Sequence, residues 1–385
     1  MTEDWQQGGF GLYIHWPFCE AKCPYCDFNS HVSRGIDQKA WRDAYLTELA
    51  QAASQTQGRV LNAVFFGGGT PSLMDPETVA DVITAIRRLW PSANDLEITL
   101  EANPGSVEAG RFAAFRQAGV DRVSMGIQAL NDTDLKRLGR LHNTQEALVA
   151  FDIARNTFDR VSFDLIYGRQ DQTCADWKNE LKQALNLAID HVSLYQLTIE
   201  NGTAFGDRYA RGKLAGLPSD DLGADMFQLT QEVCDQHGMH AYEVSNHARD
   251  NAQSRHNLIY WRYGDYIGIG PGAHGRLTLQ GTKYATVCYS NPKRWLGAVA
   301  TGETEKPREA LSAMEQATEF LLMGLRIKEG ISLDRYKKIS GVPLSQDTLD
   351  HLSDIGVIDV NGDRLTVSNQ GVIVLNAVIE ALMPH

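Results

Sequence analysis

Cys19-Glu20-Ala21-Lys22-Cys23-Pro24-Tyr25-Cys26 places three of the chain's six cysteines within eight residues, spaced C-x3-C-x2-C. Three thiolates this close on one loop suit a soft metal centre. Zinc takes four ligands, usually in two pairs, and no second C-x2-C or H-x3-H pair completes such a site. A thioredoxin-type redox pair needs only two cysteines and leaves Cys19 unexplained. A 4Fe–4S cluster has four iron corners, normally held by four thiolates. Three cysteines leave one iron open to a small-molecule ligand. The plainer alternative is a surface loop that happens to be rich in cysteine. Cys174, Cys234 and Cys288 are isolated and read as small buried hydrophobes.

Just before the loop, Leu12-Tyr13-Ile14-His15-Trp16 alternates and is rich in β-formers, so it predicts a short strand ending at the cysteines. At 385 residues the chain suits one large unit and one small one. Its 43% hydrophobic and 22% charged content is ordinary for a globular protein with a sizeable core. A net charge of -12 argues against broad electrostatic attraction to nucleic acid. No run of about 18 apolar residues appears, so no spanning helix is expected. Met1-Thr2-Glu3-Asp4-Trp5 is acidic and lacks an apolar segment, so it does not read as a signal peptide. Clustered cysteines without an export signal imply the reducing cytoplasm, where thiols ligate metal rather than pair.

Downstream, strands alternate with helices. Strands are predicted at 60–66, 96–100, 122–127, 161–167 and 191–199. Helices are predicted at 37–56, where Asp37 caps, from Asp75-Pro76-Glu77, and at 107–118, 131–138, 143–157 and 174–188. This alternation indicates an α/β fold with a parallel sheet. Six units rather than eight suggest a partial (β/α)6 barrel, TIM-like and open on one side. Polar and glycine residues collect just after the strands, where such barrels build their sites. Residues 200–217 read as loop, 219–237 as a helix, and 280–302 resist placement.

The tail from about 308 carries predicted helices at 309–326, 332–338, 345–355 and 371–383. Between them, 357–367 is a hairpin on an Asn361-Gly362 turn. Helices with a two-stranded wing describe a small α+β, winged-helix-like domain. Its helices carry both signs of charge, so it reads as a cover or partner-contact module rather than a DNA reader. The expected division is 1–215 for the barrel, 216–305 for a connecting region and 306–385 for the tail.

Gly67-Gly68-Gly69-Thr70-Pro71 follows a buried strand and brings bare backbone close to whatever the loops hold. Glu101, at a strand end, is suited to accept hydrogen bonds from hydroxyls. Gln128, Arg140 and Asp164 stand at later strand ends or loops and suit carboxylate, ribose or adenine groups. Taken alone, Asp164 reads as a capped strand.

With C-x3-C-x2-C after a first strand, the chain resembles the radical S-adenosylmethionine enzymes. In that family the three thiolates hold a 4Fe–4S cluster. S-adenosylmethionine chelates the fourth iron, and one-electron reduction yields a 5′-deoxyadenosyl radical. Further stretches are similar to the oxygen-independent coproporphyrinogen III dehydrogenase (HemN-like) family over nearly the whole chain. They are Tyr13-Ile14-His15-Trp16-Pro17-Phe18-Cys19, Cys26-Asp27-Phe28-Asn29-Ser30, Met125-Gly126-Ile127-Gln128 and Asp164-Leu165-Ile166-Tyr167-Gly168. The resemblance implies that Cys19, Cys23 and Cys26 hold the cluster. It also implies that Tyr13, Tyr25, Gly68, Gly69, Thr70, Glu101, Gln128, Arg140 and Asp164 touch S-adenosylmethionine, some of them at a second S-adenosylmethionine site.

Two departures redirect the reading. The dehydrogenases carry a further cysteine two residues after the third, where this chain has Phe28. Their N-terminal extension is also missing. Conversely, His256-Asn257-Leu258-Ile259-Tyr260-Trp261 matches the H-N-x-x-Y-W motif of the HemW branch, which are haem chaperones. The resemblance implies haem ligated by His256, with Tyr260 and Trp261 against the porphyrin. Alone, the stretch reads as a core helix end; His247 and His274 are rival ligands. Arg169-Gln170-Asp171 departs from the usual Leu-Pro-Gly, so that loop is expected to differ in shape.

The expectation is a cytoplasmic haem chaperone, also peripheral at the membrane, with 4Fe–4S, S-adenosylmethionine and haem as its cofactors. Its partners are haem and haem-accepting proteins at the membrane surface. A homodimer is allowed for, nucleic acid is not expected, and no catalytic residue is assigned. The alternative is a coproporphyrinogen III dehydrogenase, for which Arg262 is the best single contact to a propionate. The third reading is a DNA-binding redox sensor using the winged tail.

Overall fold

The structure is a computed structural model that describes residues 3–33 and 35–383. Met1 and Thr2 of the acidic N-terminal stretch lie outside the described residues, as do the side chains of Ser106 and Val107 in an expected helix. All six expected strands are present: β1 (Phe10–Trp16), β2 (Leu61–Gly68), β3 (Ser92–Ala102), β4 (Arg122–Gln128), β5 (Arg160–Tyr167) and β6 (His191–Gln196). They pair in parallel in chain order, with Gly11 beside Ala63 and Trp16 beside Gly68 at the first junction.

Four longer helices cover the outside: α1 (Gln38–Gln55), α2 (Pro76–Leu89), α3 (Thr144–Thr157) and α4 (Cys174–Leu187). Each starts where the sequence offers a signal. Asp37 accepts from Ala40 N at 3.0 Å, Pro76 opens α2, and Asn143 with Glu146 and Thr173 with Asp176 form capping boxes. The expected helix at 107–118 is two pieces, Ser106–Ala109 and Phe112–Ala118.

Alternation along β1 separates two environments. Trp16 packs on Trp41 and Tyr45 of α1, while Tyr13 faces inward and stacks on Phe65. Helices outside and a polar bore inside make a partial barrel.

The sheet extends beyond the six expected strands. Asp265–Ile269 (β7) lies in the glycine-dense run and pairs in parallel with β1, Phe10 beside Asp265 and Ile14 beside Ile269. His274–Leu279 (β8) and Thr282–Val287 (β9) follow in antiparallel. Glu309–Ala310 closes that edge; Asn246–Ala248 and His240–Ala241 close the other, giving a twelve-stranded mixed sheet among the described residues. Glycine hides β7 from a pattern search but is needed there: a Cβ on Gly268 would sit 2.3 Å from the His274 carbonyl oxygen. Two further helices follow, α5 (Asp220–Gln236) and α6 (Arg255–Trp261).

The tail has its own core around Phe320, Leu321, Tyr336, Leu349, Leu365 and Ile379. Its hairpin, Ile358–Asn361 with Arg364–Val367, gains a third strand, Ile331–Ser332. Its first helix starts at Ala313 rather than 309, because Ser312 and Glu315 form a capping box. The last helix breaks at Val374 into Asn369–Ile373 and Leu375–Leu382. Arg335 ties the tail to the barrel through Asp4 at 2.8 Å and the Arg262 carbonyl at 2.8 Å. Among the described residues no helix is long and apolar enough to cross a membrane.

Candidate cluster and cofactor site

The cysteine loop leaves β1 and is held from several sides. Gly69 N donates to Trp16 O at 2.7 Å and Thr70 N to Phe18 O at 2.9 Å, so the glycine turn after β2 lies directly under the loop. The closeness requires glycine: a Cβ on Gly69 would meet the Phe18 backbone at 2.6 Å, and Gly68 has φ 110° with the His15 ring beside it. Asn29 Nδ2 donates to the carbonyls of Pro271 and Ser290, both at 2.9 Å, which anchors the loop to the segments that follow β7 and β9.

The three thiols border one cavity of about 360 Å³ at the C-terminal ends of the strands. Gly68, Gly69 and Thr70 enter it from β2, Glu101 from β3, Gln128 from β4, Asp164 from β5, and Tyr25 and Arg140 from loops. Eight of the nine residues expected at S-adenosylmethionine therefore meet. Tyr13 does not border the cavity; it sits in the bore with its hydroxyl 3.1 Å from His15 Nδ1.

Arg140 is the hinge of the arrangement. Its Nη1 donates to Cys23 Sγ at 3.4 Å, and its Nη2 to Asn103 Oδ1 at 2.5 Å and Gly126 O at 2.7 Å. Thr70 Oγ1 donates to Cys19 Sγ at 3.5 Å. Donors aimed at sulfur fit thiolate ligands. Among the described residues no three His, Cys, Asp or Glu side chains converge as ligands of a single metal ion. Thiols spread around a cavity suit a cluster, in which each holds a different iron. Cys19, Cys23 and Cys26 would hold such a cluster, which supplies one-electron chemistry when bound.

Two carboxyls floor the cavity. Burial, and then the Asp164 charge, push Glu101 up to about 8, against a 3.3 Å bond from Gly68 N. Burial pushes Asp164 up to about 6, opposed by Ser193 and Ser124. A carboxyl raised on folding is stabilising while protonated, and that stability falls as pH rises from the ordinary carboxylate range through the raised value. Glu48 and Glu108 are raised to about 7 and Asp121 to about 6, so they add to the slope below neutrality. Burial lowers His15, His142 and His247 to about 4 and His256 to about 3, and these act the opposite way below about pH 6.5, where the unfolded chain would bind their protons. The melting temperature of cluster-free protein should therefore fall from about pH 7 to pH 8, where the raised carboxyls dominate, and Glu101→Gln should flatten that fall. An unchanged slope there by circular dichroism contradicts the assignment.

Tyr195, one of the polar residues at the strand ends, also borders the cavity, as do Asn103 and Ser124, which were not among the expected site residues. Asn103 was within reach: it lies two residues past Glu101 and bonds both Arg140 and Thr70.

His256, Tyr260 and Trp261 stand apart from this cavity. His256 is buried on α6, its ring stacked 4.6 Å from Phe65 and its Nε2 2.6 Å from Tyr260 Oη. Burial lowers it to about 3, so the imidazole is neutral, and Nδ1 has no partner. The protonation state suits an iron ligand, but the ring faces side chains rather than open space, so a macrocycle does not fit against it as folded. The rivals differ: His247 is buried, while His274 is exposed. Arg262 is committed to Glu329, both contacts at 2.7 Å, and does not border the cavity.

Comparison with known proteins agrees with this geometry. Residues 13–184 match the Radical SAM superfamily and residues 311–374 the HemN C-terminal domain. The chain is 40% identical over 384 residues to radical S-adenosyl methionine domain-containing protein 1, mitochondrial, of Bos taurus, covering 97% of this chain and 87% of that one. It is 37% identical over 379 residues to heme chaperone HemW of Escherichia coli (strain K12), covering 97% of each. In fold it is similar to coproporphyrinogen III oxidase (HemN) from Escherichia coli, with a TM-score of 0.80 at 22% identity over 97% of this chain and 90% of that one. With those full-length relatives and the thiol-lined cavity together, the chain belongs to the radical SAM superfamily, in the family that includes heme chaperone HemW.

Proposed function

We propose that this protein is a haem chaperone. It carries a 4Fe–4S cluster on Cys19, Cys23 and Cys26 and S-adenosylmethionine in the adjoining cavity, and it delivers haem to haem-requiring proteins. The observation that carries the reading is similarity to proteins named heme chaperone HemW over 97% of both chains. Phe28 supports it: where the dehydrogenases have a further cysteine, this side chain is exposed at the cavity rim. In this reading 1–215 holds the cluster, 216–305 carries the H-N-x-x-Y-W motif, and 306–385 contacts partners. The protein is cytoplasmic, meets acceptors at the membrane surface, and forms a homodimer when S-adenosylmethionine binds.

The dehydrogenase alternative is weaker on charge. Two propionates call for cations, and only Lys22 and Arg140 border the cavity among the described residues. Arg140 is already committed to Cys23, Asn103 and Gly126.

Ligation by His256, with Tyr260 and Trp261 against the porphyrin, requires α6 to move off β2. The α6 helix is only seven residues long, so the movement is local. Ligation by His274 requires no such movement. Haemin titrated into wild type, His256→Ala and His274→Ala should give a Soret band saturating at one equivalent in the wild type. It should weaken strongly in His256→Ala. Loss only in His274→Ala moves the ligand there, and no stoichiometric binding contradicts the chaperone reading.

A further inference from the structure

Arg169 follows β5 in the stretch that departs from Leu-Pro-Gly. It is only 3% exposed. Its Nη1 donates to the carbonyl of Ile166 at 2.8 Å, the carbonyl of Gln128 at 3.4 Å and Glu180 Oε1 at 3.2 Å. Its Nη2 pairs with Asp134 at 3.0 Å and with the other Glu180 oxygen.

Gln128 ends β4 and Ile166 is the penultimate residue of β5, the strands that bring Gln128 and Asp164 to the cavity. Gln128 is at φ 74°, a left-handed conformation that a side chain adopts only when its surroundings impose it. The β4–β5 register also shifts between Met125 and Gln128. Glu180 completes the clamp by accepting from Leu130 N at 2.7 Å, and Gln172 Oε1 accepts from Gly168 N at 2.8 Å. Buried ion pairs contribute little net stability, because desolvation offsets their attraction. What a forked guanidinium supplies here is fixed geometry at two strand ends.

We propose that Arg169 is a positioning residue of the S-adenosylmethionine cavity, setting Gln128 and Asp164 through the main-chain carbonyls of Gln128 and Ile166. This rests on the reading that the cavity takes S-adenosylmethionine.

Equilibrium dialysis of S-adenosylmethionine against anaerobically reconstituted full-length protein tests it, with iron content and thermal unfolding measured on the same samples. Arg169→Leu is expected to bind about tenfold more weakly, as for loss of a charged hydrogen bond, with iron content unchanged. Arg169→Lys keeps the charge without the fork and should fall in between. Methylguanidine should restore part of the affinity of Arg169→Ala. Arg160→Leu is the control. Arg160 bonds Glu97 at 2.9 Å and Asp190 at 3.3 Å at the start of β5, so this change should lower stability and leave affinity alone. Wild-type affinity in Arg169→Leu overturns the proposal. Should that variant fail to fold, wild-type affinity in Arg169→Lys overturns it. A wild type that binds no S-adenosylmethionine overturns the cavity reading as well.

Discussion

Cys23→Ser is expected to leave the anaerobically reconstituted protein without the brown absorbance of a 4Fe–4S cluster. The reason is stoichiometric. Three thiols border the cavity; they would hold three irons of a 4Fe–4S cluster and leave the fourth to S-adenosylmethionine. A serine oxygen is a harder ligand and a poor match for iron in a sulfide cluster. The loss of one of three leaves two anchors for a cluster that normally has four. Cys23 is also the thiol that Arg140 donates to, so its removal takes away one partner of a guanidinium that also bonds Asn103 and Gly126 of β4. Cys234→Ser and Cys288→Ser should keep the colour, since both lie in the core away from the cavity. Full cluster content in Cys23→Ser, by iron and sulfide assay, contradicts the assignment.

Asp265→Ala should cost about 3–5 kcal/mol of stability, the range for removing one partner of a buried ion pair. Asp265 is fully buried and opens β7. It receives Arg59 Nη1 at 2.8 Å, Lys283 Nζ at 3.1 Å and Thr278 Oγ1 at 3.0 Å. Burial pulls Lys283 below its ordinary range and the Asp265 charge resists that. Without the carboxylate, Lys283 keeps the carbonyls of Tyr263 and Gly264 and the face of the Tyr263 ring, none of which carries a charge. The double change Asp265→Leu with Lys283→Met should recover part of the loss, because it removes the buried ammonium together with the carboxylate; Arg59 keeps the Thr278 carbonyl and the face of Trp5. Glu329→Gln, which breaks the exposed pair with Arg262, should cost about 1 kcal/mol or less. Urea unfolding midpoints of the three variants separate these cases. Equal shifts for Asp265→Ala and Glu329→Gln contradict the account.

Asp265 also marks where the sequence stops being legible. β2 is a nearly unbroken apolar run, and β5 alternates Arg160, Ser162 and Asp164 with Val161, Phe163 and Leu165, so both read as strands from their pattern. β7 has the same role beside β1 but begins with an aspartate and contains Gly268. Its glycine serves a close main-chain approach that only the fold reveals. The cavity was readable because barrels put their sites at strand ends, and Glu101, Gln128 and Asp164 are numbered there. The H-N-x-x-Y-W stretch was readable as a motif but not as a place. Nothing in its spacing says that His256 stacks on Phe65, which lies on β2 far earlier in the chain. Arg169 was visible as a departure, and its bond to the Gln128 carbonyl was not.

The central claim is delivery of haem rather than turnover of a porphyrinogen. The direct test loads the anaerobically reconstituted protein with haem and mixes it with the apo form of a b-type haem protein, with S-adenosylmethionine present. A parallel sample receives coproporphyrinogen III and reductant. The expected result is a Soret band that moves to the acceptor's maximum while the porphyrinogen stays unchanged. Conversion to protoporphyrinogen without haem transfer contradicts the claim.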